Sequence, residues 1–320
     1  MLTRRTMLAA AGVLAAPRLA RAAWPADRPI EVIVPYPPSG GGDTQTRMVV
    51  SHVARQMPNA RFVVQNRAGA GGQLGFEANF NATPDGYTFG LVTNTALHGQ
   101  PLERRVRFRP RDFSFIANVV FDPGAFWVAA DSPLRSLADL AEAARRAPET
   151  LGVGTAGVGS DDHLMMMAFE EMTGTRLLHV PYNGTAPTLR DLLGGRLAIG
   201  GFNAGEGGQL YREGKIRCLG QSGEARWSGM PEVPTFREQG FDLVSGSARG
   251  YAGPPGLPPD ILEGFRAAFA AAMATPEFRA DAERLGLPIQ PLVGEAYRRM
   301  MAEEDERMQA LWRRQPWRES

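Results

Sequence analysis

The sequence predicts an α/β protein built from two units. Short apolar runs alternate with helical stretches, the arrangement that puts parallel strands under covering helices. That alternation breaks and restarts after Phe115. Several of the 37 glycines and 25 prolines fall in loops that follow predicted strands, such as Pro37 to Gly42 and Gly69 to Gly72. At 320 residues the chain can bury a sizeable core, and 22% charged residues with 43% hydrophobic ones argue against wholesale disorder.

In the first unit, Ile30 to Tyr36 reads as a buried strand. The loop Pro37 to Asp43 follows, then a helix from Thr44 to Met57 with Asp43 as its N-cap, since that side chain can accept an orphan N–H. Arg61 to Gln65 is the next strand, Gly69 to Gly72 a turn, and a helix starts near Gln73. Tyr87 to Thr93 is a third strand. In the second unit Phe126 to Ala130 is a strand, and Ser136 to Asp139 forms a capping box that opens a helix to Ala147. Thr150 to Thr155 is a strand, a helix follows from Asp161, and Leu177 to Val180 is another strand. A helix to Leu193 and strands Leu197 to Phe202 and Ile216 to Gln221 complete the unit. Beyond Gly250 three helices are predicted: Pro259 to Ala274, Pro276 to Leu285 and Gly294 to Arg314.

Residues 1–22 read as an export signal. Arg4 and Arg5 precede the apolar run Met7 to Ala16, which is too short to span a bilayer, and Ala20-Arg21-Ala22 places cleavage near Ala22. Thr3-Arg4-Arg5-Thr6-Met7-Leu8 fits a twin-arginine signal, against an ordinary secretory signal that happens to hold two arginines. The segment carries Arg4, Arg5, Arg18 and Arg21 and no acid, so its removal takes the formal charge from +1 to −3. The expected location is the periplasm, as a soluble monomer. A near-neutral balance excludes a general nucleic-acid binder.

Several chemistries fail on spacing. The one lysine, Lys215, is followed by Ile216, which rules out a P-loop. The one cysteine, Cys218, allows no internal disulfide and reads as a small buried hydrophobe. Gly152 to Gly157 matches Gly-x-Gly-x-x-Gly, but the next strand runs into Val180-Pro181-Tyr182 without the acidic residue a dinucleotide needs. Asp161 and Asp162 beside His163 read as helix-start residues rather than metal ligands, and no Gly-x-Ser-x-Gly elbow is present. No metal, catalytic residue or cofactor is therefore expected. Four glycine- or hydroxyl-bearing loops remain: Pro37 to Asp43, Thr93 to Thr95, Thr155 to Ser160 and Tyr182 to Thr185. All lie past the carboxyl ends of strands, where α/β sheets bind ligands and helix N-termini offer N–H groups to anions.

Ile33-Val-Pro-Tyr-Pro-Pro-Ser-Gly40 with Asp43, Val64 to Arg67, Gly69 to Gly72 and Pro84 to Thr88 occur in order. His179 to Pro187, Asp191 to Gly195, Pro231 to Thr235 and Pro254 to Gly256 follow. This series resembles the solute receptors of tripartite tricarboxylate transporters, the Bug family. The resemblance implies a type II periplasmic-binding-protein fold, two α/β lobes with a hinge of crossing strands. Lobe 1 would be 23–122 plus 250–320 and lobe 2 would be 123–249. It also implies a small carboxylate ligand delivered to the integral-membrane permease subunits of the transporter. The implied ligand-binding residues are Pro37, Ser39, Gly40, Asp43, Asn94 and Thr95 from one lobe. From the other they are Thr155, Gly157, Gly159, Ser160, Tyr182, Gly184, Thr185 and Asn203.

The chain departs from that family pattern at several positions. Ser39 stands for the first glycine of the Pro-Pro-Gly-Gly loop, and Asp161 and Asp162 stand for small hydroxyl residues. Asn183 stands for lysine, Ala198 and Phe202 for aspartate, and Arg249 for an aromatic. Asp161 would repel a carboxylate at short range unless Arg249 or a cationic group of the ligand compensates. Two other readings of the cleft stay open from the residues alone: an exported hydrolase using Asp43, His163 or Asp161, and the effector-sensing domain of a regulator.

Overall fold

The computed structural model describes residues 24–182 and 184–317. The signal segment 1–22 and Asn183 lie outside the described residues. Strand β1 (Ile30–Val34) leads to helix α1 (Gly41–Gln56), β2 (Phe62–Asn66), α2 (Gln73–Phe80), β3 (Thr88–Thr93) and α3 (Asn94–Glu103). A single long strand, β4 (Ser114–Ala129), then crosses the molecule. Beyond it come α4 (Leu137–Arg146), β5 (Gly152–Thr155), α5 (Asp161–Thr173), β6 (Leu178–Pro181) and α6 (Thr185–Leu193). They are followed by β7 (Ile199–Asn203), α7 (Ala204–Arg212) and β8 (Ile216–Gln221). The chain returns through β9 (Gly246–Gly253), α8 (Pro259–Ala274), α9 (Pro276–Arg284), β10 (Ile289–Val293) and α10 (Glu295–Arg314).

The sheet order is β2-β1-β3-β9-β4-β7-β5-β6, with β10 and β8 also pairing β4. Each wing is parallel, β2-β1-β3 on one side and β7-β5-β6 on the other. The centre is antiparallel. β4 pairs β9 from Ser114↔Gly253 to Pro123↔Gly246, and from Gly124 onward it pairs β7 and β8 instead. One strand thus serves two halves, and the change of partner falls between Pro123 and Gly124.

Helices cover both faces of each half. Val32, Phe89, Val119, Phe265 and Phe269 fill one face of the first half, where α1 and α8 lie. Phe76, Leu97, Phe115 and Tyr297 fill the other, beneath α2, α3 and α10. In the second half, Phe126, Leu140, Met166 and Phe169 pack on one side, and Trp127, Leu192 and Phe202 on the other. The Trp127 indole lies parallel to the Phe202 ring and donates to the Phe202 carbonyl at 2.8 Å. A further cluster joins Leu164 and Met167 of α5 to Met308, Leu311 and Trp317 at the chain's end.

Several expectations need correction. Asp43 is not the N-cap of α1; Gly40 is, and Asp43 sits in the first turn. The break after Phe115 is no break, because β4 runs straight through it. Helices α3 and α7 and strand β10 went unpredicted. Gly99 and Pro101 in α3, and Gly205, Gly207 and Gly208 in α7, are poor helix formers held by tertiary contacts. The capping box at Ser136 is present, with Asp139 donated to by the Ser136 amide and Ser136 Oγ receiving the Asp139 N–H. Cys218 is buried in β8, and burial pushes its thiol up to about 12.

Gly250, at the middle of the β4–β9 pairing, shows how tight this crossing is. A Cβ there would lie 2.6 Å from the Ala117 carbonyl oxygen and would also meet the Tyr297 hydroxyl. Neither the strand nor the buried tyrosine can give way cheaply. Gly250→Ala should lower unfolding free energy by about 1–3 kcal/mol, the usual cost of overpacking, measured by denaturant titration. An unchanged midpoint would mean that the crossing is loosely packed.

Candidate functional site

Between the two halves lies a cavity of about 680 Å³. One wall comes from Tyr36, the start of α1 and the face of α3 carrying Thr95, Ala96 and Gln100. The opposite wall is the loop before α5, from Ala156 to Asp161, together with Glu206 of α7. Ser247 and Arg249 of β9 form the floor.

The first wall presents donors. Helix α1 begins without a side-chain cap at Gly40, and Gly41 and Gly42 of its first turn line the cavity. Helix α3 also begins without a side-chain cap, because its N-cap Thr93 is paired with the Tyr36 hydroxyl at 2.7 Å. Uncapped first turns leave N–H groups and the positive end of the helix dipole toward the cavity. Arg249 adds a guanidinium whose Nη2 lies 3.4 Å from Asp122 Oδ2 and whose Nη1 lies close to Gly41.

The opposite wall presents carboxylates. Asn203 ties them together: its side-chain amide donates to Asp161 Oδ2 at 2.8 Å and to the Asp122 carbonyl at 2.9 Å. Its backbone N–H meets Glu206 Oε2 at 3.1 Å, and Thr185 Oγ1 donates to that same oxygen at 3.0 Å. Asp122 is buried behind them and accepts the Gly205 N–H. Burial raises the carboxyls of Asp161 and Glu206 despite the lowering pull of Arg249. Asp122 is pushed up to about 7, by burial first, with Glu206 and Asp161 adding to it and Arg249 opposing. Asp162 is raised further, by burial and then by its neighbours Asp161 and Glu206.

Of the residues expected to touch ligand, Thr95, Gly159 and Ser160 line this cavity. Asn203 and Thr185 stand one step behind it, orienting Asp161 and Glu206. Others are committed elsewhere. Asp43 is 3% exposed and accepts from the Ser39 N–H, Asn66 and Arg47, which hold its carboxyl low, the Arg47 bond being the main cause. It shapes the Pro37 to Gly40 turn, in which Ser39 adopts φ of 65°, the left-handed region where the family pattern has glycine. Pro37 and Ser39 are exposed on that turn. Asn94 spends both amide ends on β9, donating to Gly246 and accepting from Ala248. Thr155 pairs with His179 Nε2, and the Tyr182 hydroxyl donates to Asp191. Gly157, with φ of 135°, and Gly184, the N-cap of α6, bend their loops.

His163 closes the Thr155 to Ser160 loop from behind. Its ring stacks on His179 with centroids 3.9 Å apart, and its Nδ1 accepts the Gly159 N–H. Burial pushes the His163 imidazole down to about 3. Among the described residues no three His, Cys, Asp or Glu side chains converge to hold a metal ion. Tyr36, Gln100, Glu206 and Ser247 were not foreseen. Glu206 was legible as the third residue of a capping box after Asn203, had α7 been recognised.

Residues 46–315 match the family described as the tripartite tricarboxylate transporter family receptor. The chain belongs to that family. Protein BugT of Bordetella pertussis is 32% identical over 73% of this chain and 73% of its own length. A TctC solute binding protein from Polaromonas is 33% identical, with a TM-score of 0.83 over 91% of this chain and 100% of that one. An R. palustris protein solved with adipate is 27% identical, with a TM-score of 0.76 over 91% of this chain and 97% of its own. Receptors of this family have the two-unit α/β fold described above.

Asp122 sets a pH dependence. Its unfolded carboxyl gives up its proton near 3.8, its folded carboxyl near 7, so between these values the native state binds more protons. Its stabilising contribution is complete below about pH 4 and is lost as pH rises through 7. In Asp122→Asn that loss is absent. Wild-type melting temperature should therefore fall relative to the variant between pH 5 and 8 in parallel thermal melts. Parallel curves would show that the carboxyl is not raised.

Proposed function

We propose that this chain is an exported receptor that captures a small carboxylate between two lobes and hands it to the permease of a tripartite tricarboxylate transporter. One observation carries the reading: α1 and α3 both start without side-chain caps on one cavity wall, beside the guanidinium of Arg249. A carboxylate placed there accepts backbone N–H bonds and a charge-assisted bond from Arg249, with water filling the remaining space. The adipate in a relative of similar fold supports the ligand class.

The lobes in this reading are 23–122 with 250–320, and 123–249. The change of partners along β4 at Pro123 and Gly124 supports that division. Binding favours the closed arrangement, which the permease recognises. No bond is made or broken. The buried acids are tied to Asn203, Gly205 and Arg249 rather than arranged as an acid–base pair around a nucleophile. The chain acts as a monomer in the periplasm, after removal of a twin-arginine signal near Ala22. No helix among the described residues is long and apolar enough to cross a membrane.

A thermal-shift panel of mono-, di- and tricarboxylates, aliphatic and aromatic, tests the ligand class. A ligand at about a hundred times its Kd adds about 2.7 kcal/mol, which should raise the melting temperature by roughly 5 °C or more in a chain of this size. If no acid in the panel moves it, the carboxylate reading fails. Arg249→Met should weaken the best ligand by roughly tenfold or more, as expected for loss of a charge-assisted bond, read by calorimetry. Unchanged affinity would remove Arg249 from the site.

A further inference from the structure

Two carboxylates, Asp161 and Glu206, line the cavity opposite the starts of α1 and α3, and Glu103 at the end of α3 lines it too, a lining out of keeping with a ligand that is only an anion. Asp161 and Glu206 face the cavity, and Asp122 and Asp162 are buried behind them. Arg249 is the guanidinium that faces this group, and it is already engaged with Asp122 at 3.4 Å. A carboxylate near Asp161 and Glu206 would add like charge to a site of low dielectric, where repulsion is strong. Burial already holds these acids up, and repulsion from Asp161 adds to it at Asp162 and Glu206.

A second feature points to a donor from the ligand. Gln100 lines the same cavity and is 4% exposed. Its Nε2 donates to the Gly71 carbonyl at 2.8 Å, which fixes the orientation of the amide. Its Oε1 is left buried with no hydrogen-bond partner. A buried acceptor without a donor is costly, and such groups in binding sites are completed by what binds. A metal ion does not suit the acids, since no three ligating side chains converge among the described residues. An ammonium group does: it needs two or three acceptors around a compact charge and no fixed coordination geometry.

We propose that the ligand is an amino-carboxylate, with its carboxylate at Arg249 and the starts of α1 and α3, and its protonated amine at Asp161 and Glu206. This rests on the receptor reading above and narrows its ligand class. The determining residues are the acidic wall, where the family pattern places a small hydroxyl at position 161. Such a ligand offers a donor to the acids as well as an acceptor to Arg249, and its ammonium offsets one carboxylate charge brought into the cleft.

The test is calorimetry on the purified protein with matched pairs: succinate and aspartate, glutarate and glutamate, adipate and 2-aminoadipate, adipate and 5-aminopentanoate. The aminated member of at least one pair should bind at least about tenfold more tightly, the scale expected for a buried charge pair. Asp161→Asn and Glu206→Gln should each erase most of that preference, read as the ratio of the two Kd values within a pair. Both substitutions keep side-chain shape, and a melting curve confirms folding; should one variant fail to fold, the other decides. Equal or tighter binding of every unaminated member overturns the amine pole and leaves the receptor reading standing. So does a preference that both variants retain. If neither series binds at all, the carboxylate reading falls, and the amino-carboxylate falls with it.

Discussion

The antiparallel pairing of β4 with β9 holds the two halves of the molecule at a fixed distance, and the site is built on it. β4 passes once from the first half to the second, and β9 comes back beside it. The two strands are the meeting point of two parallel wings that otherwise share little sheet. Because they run antiparallel through the middle, residues distant in sequence are brought side by side: Asp122 from β4, Arg249 and Ser247 from β9. Asn94 locks α3 to this crossing by bonding Gly246 and Ala248. The uncapped start of α3 is thereby fixed against the floor of the cleft rather than left to a loop.

The crossing also concentrates charge. Asp122 is buried at the crossover, and its partners are Arg249 and the Gly205 N–H. Burial penalises its charged form more than Arg249 rewards it, so its carboxyl rises to about 7. Burial raises Asp161 and Glu206 as well, and Arg249 pulls both down from the cleft side. Arg249 therefore has two demands on it, the buried aspartate and whatever anion enters. Its long 3.4 Å contact with Asp122 leaves the guanidinium only partly committed. That partial commitment is what allows a strand residue to act as a binding group.

The parallel wings were legible in the sequence because most strands there are short apolar runs set off by turn residues and followed by a helical stretch, although α3 and α7 after β3 and β7 were missed. Ser136 with Asp139 marked a helix start on side-chain chemistry alone. The crossing was not legible. β4 contains Asn118, Asp122, Pro123 and Gly124, which read as a turn, and only pairing on both sides carries the strand across them. β9 has four small residues and one arginine in Gly-Ser-Ala-Arg-Gly, so it shows no apolar pattern. Of the site, the loops were visible: Thr95, Gly159 and Ser160 line the cavity, while other expected side chains are engaged within the protein. Thr155 and Tyr182 carry hydroxyls able to donate to an acid, but His179 and Asp191 claim them first, and Asp43, itself an acceptor, is held by Ser39, Asn66 and Arg47. Sequence shows which groups could donate; it does not show which have already done so.

The chain's end adds a second connection between the halves, of a different physical kind. Trp317 donates to Glu103 of α3 and packs against Gly159, in the loop that lines the cleft. Arg314 pairs with Glu171 of α5, and Arg307 donates to the Val244 carbonyl. Under these polar contacts Met308 and Leu311 meet Leu164 and Met167. Any opening of the cleft has to separate α10 from α5 and wet this cluster, whereas the β4–β9 ladder can bend without losing its hydrogen bonds. The two connections therefore divide the work. The ladder sets the axis about which the halves move, and the apolar cluster under α10 sets how strongly they stay together. The contact at Gly159 places that cluster one residue from Ser160 and two from Asp161. Trp317 thus ties the loop that lines the cleft to the segment after the C-terminal helix.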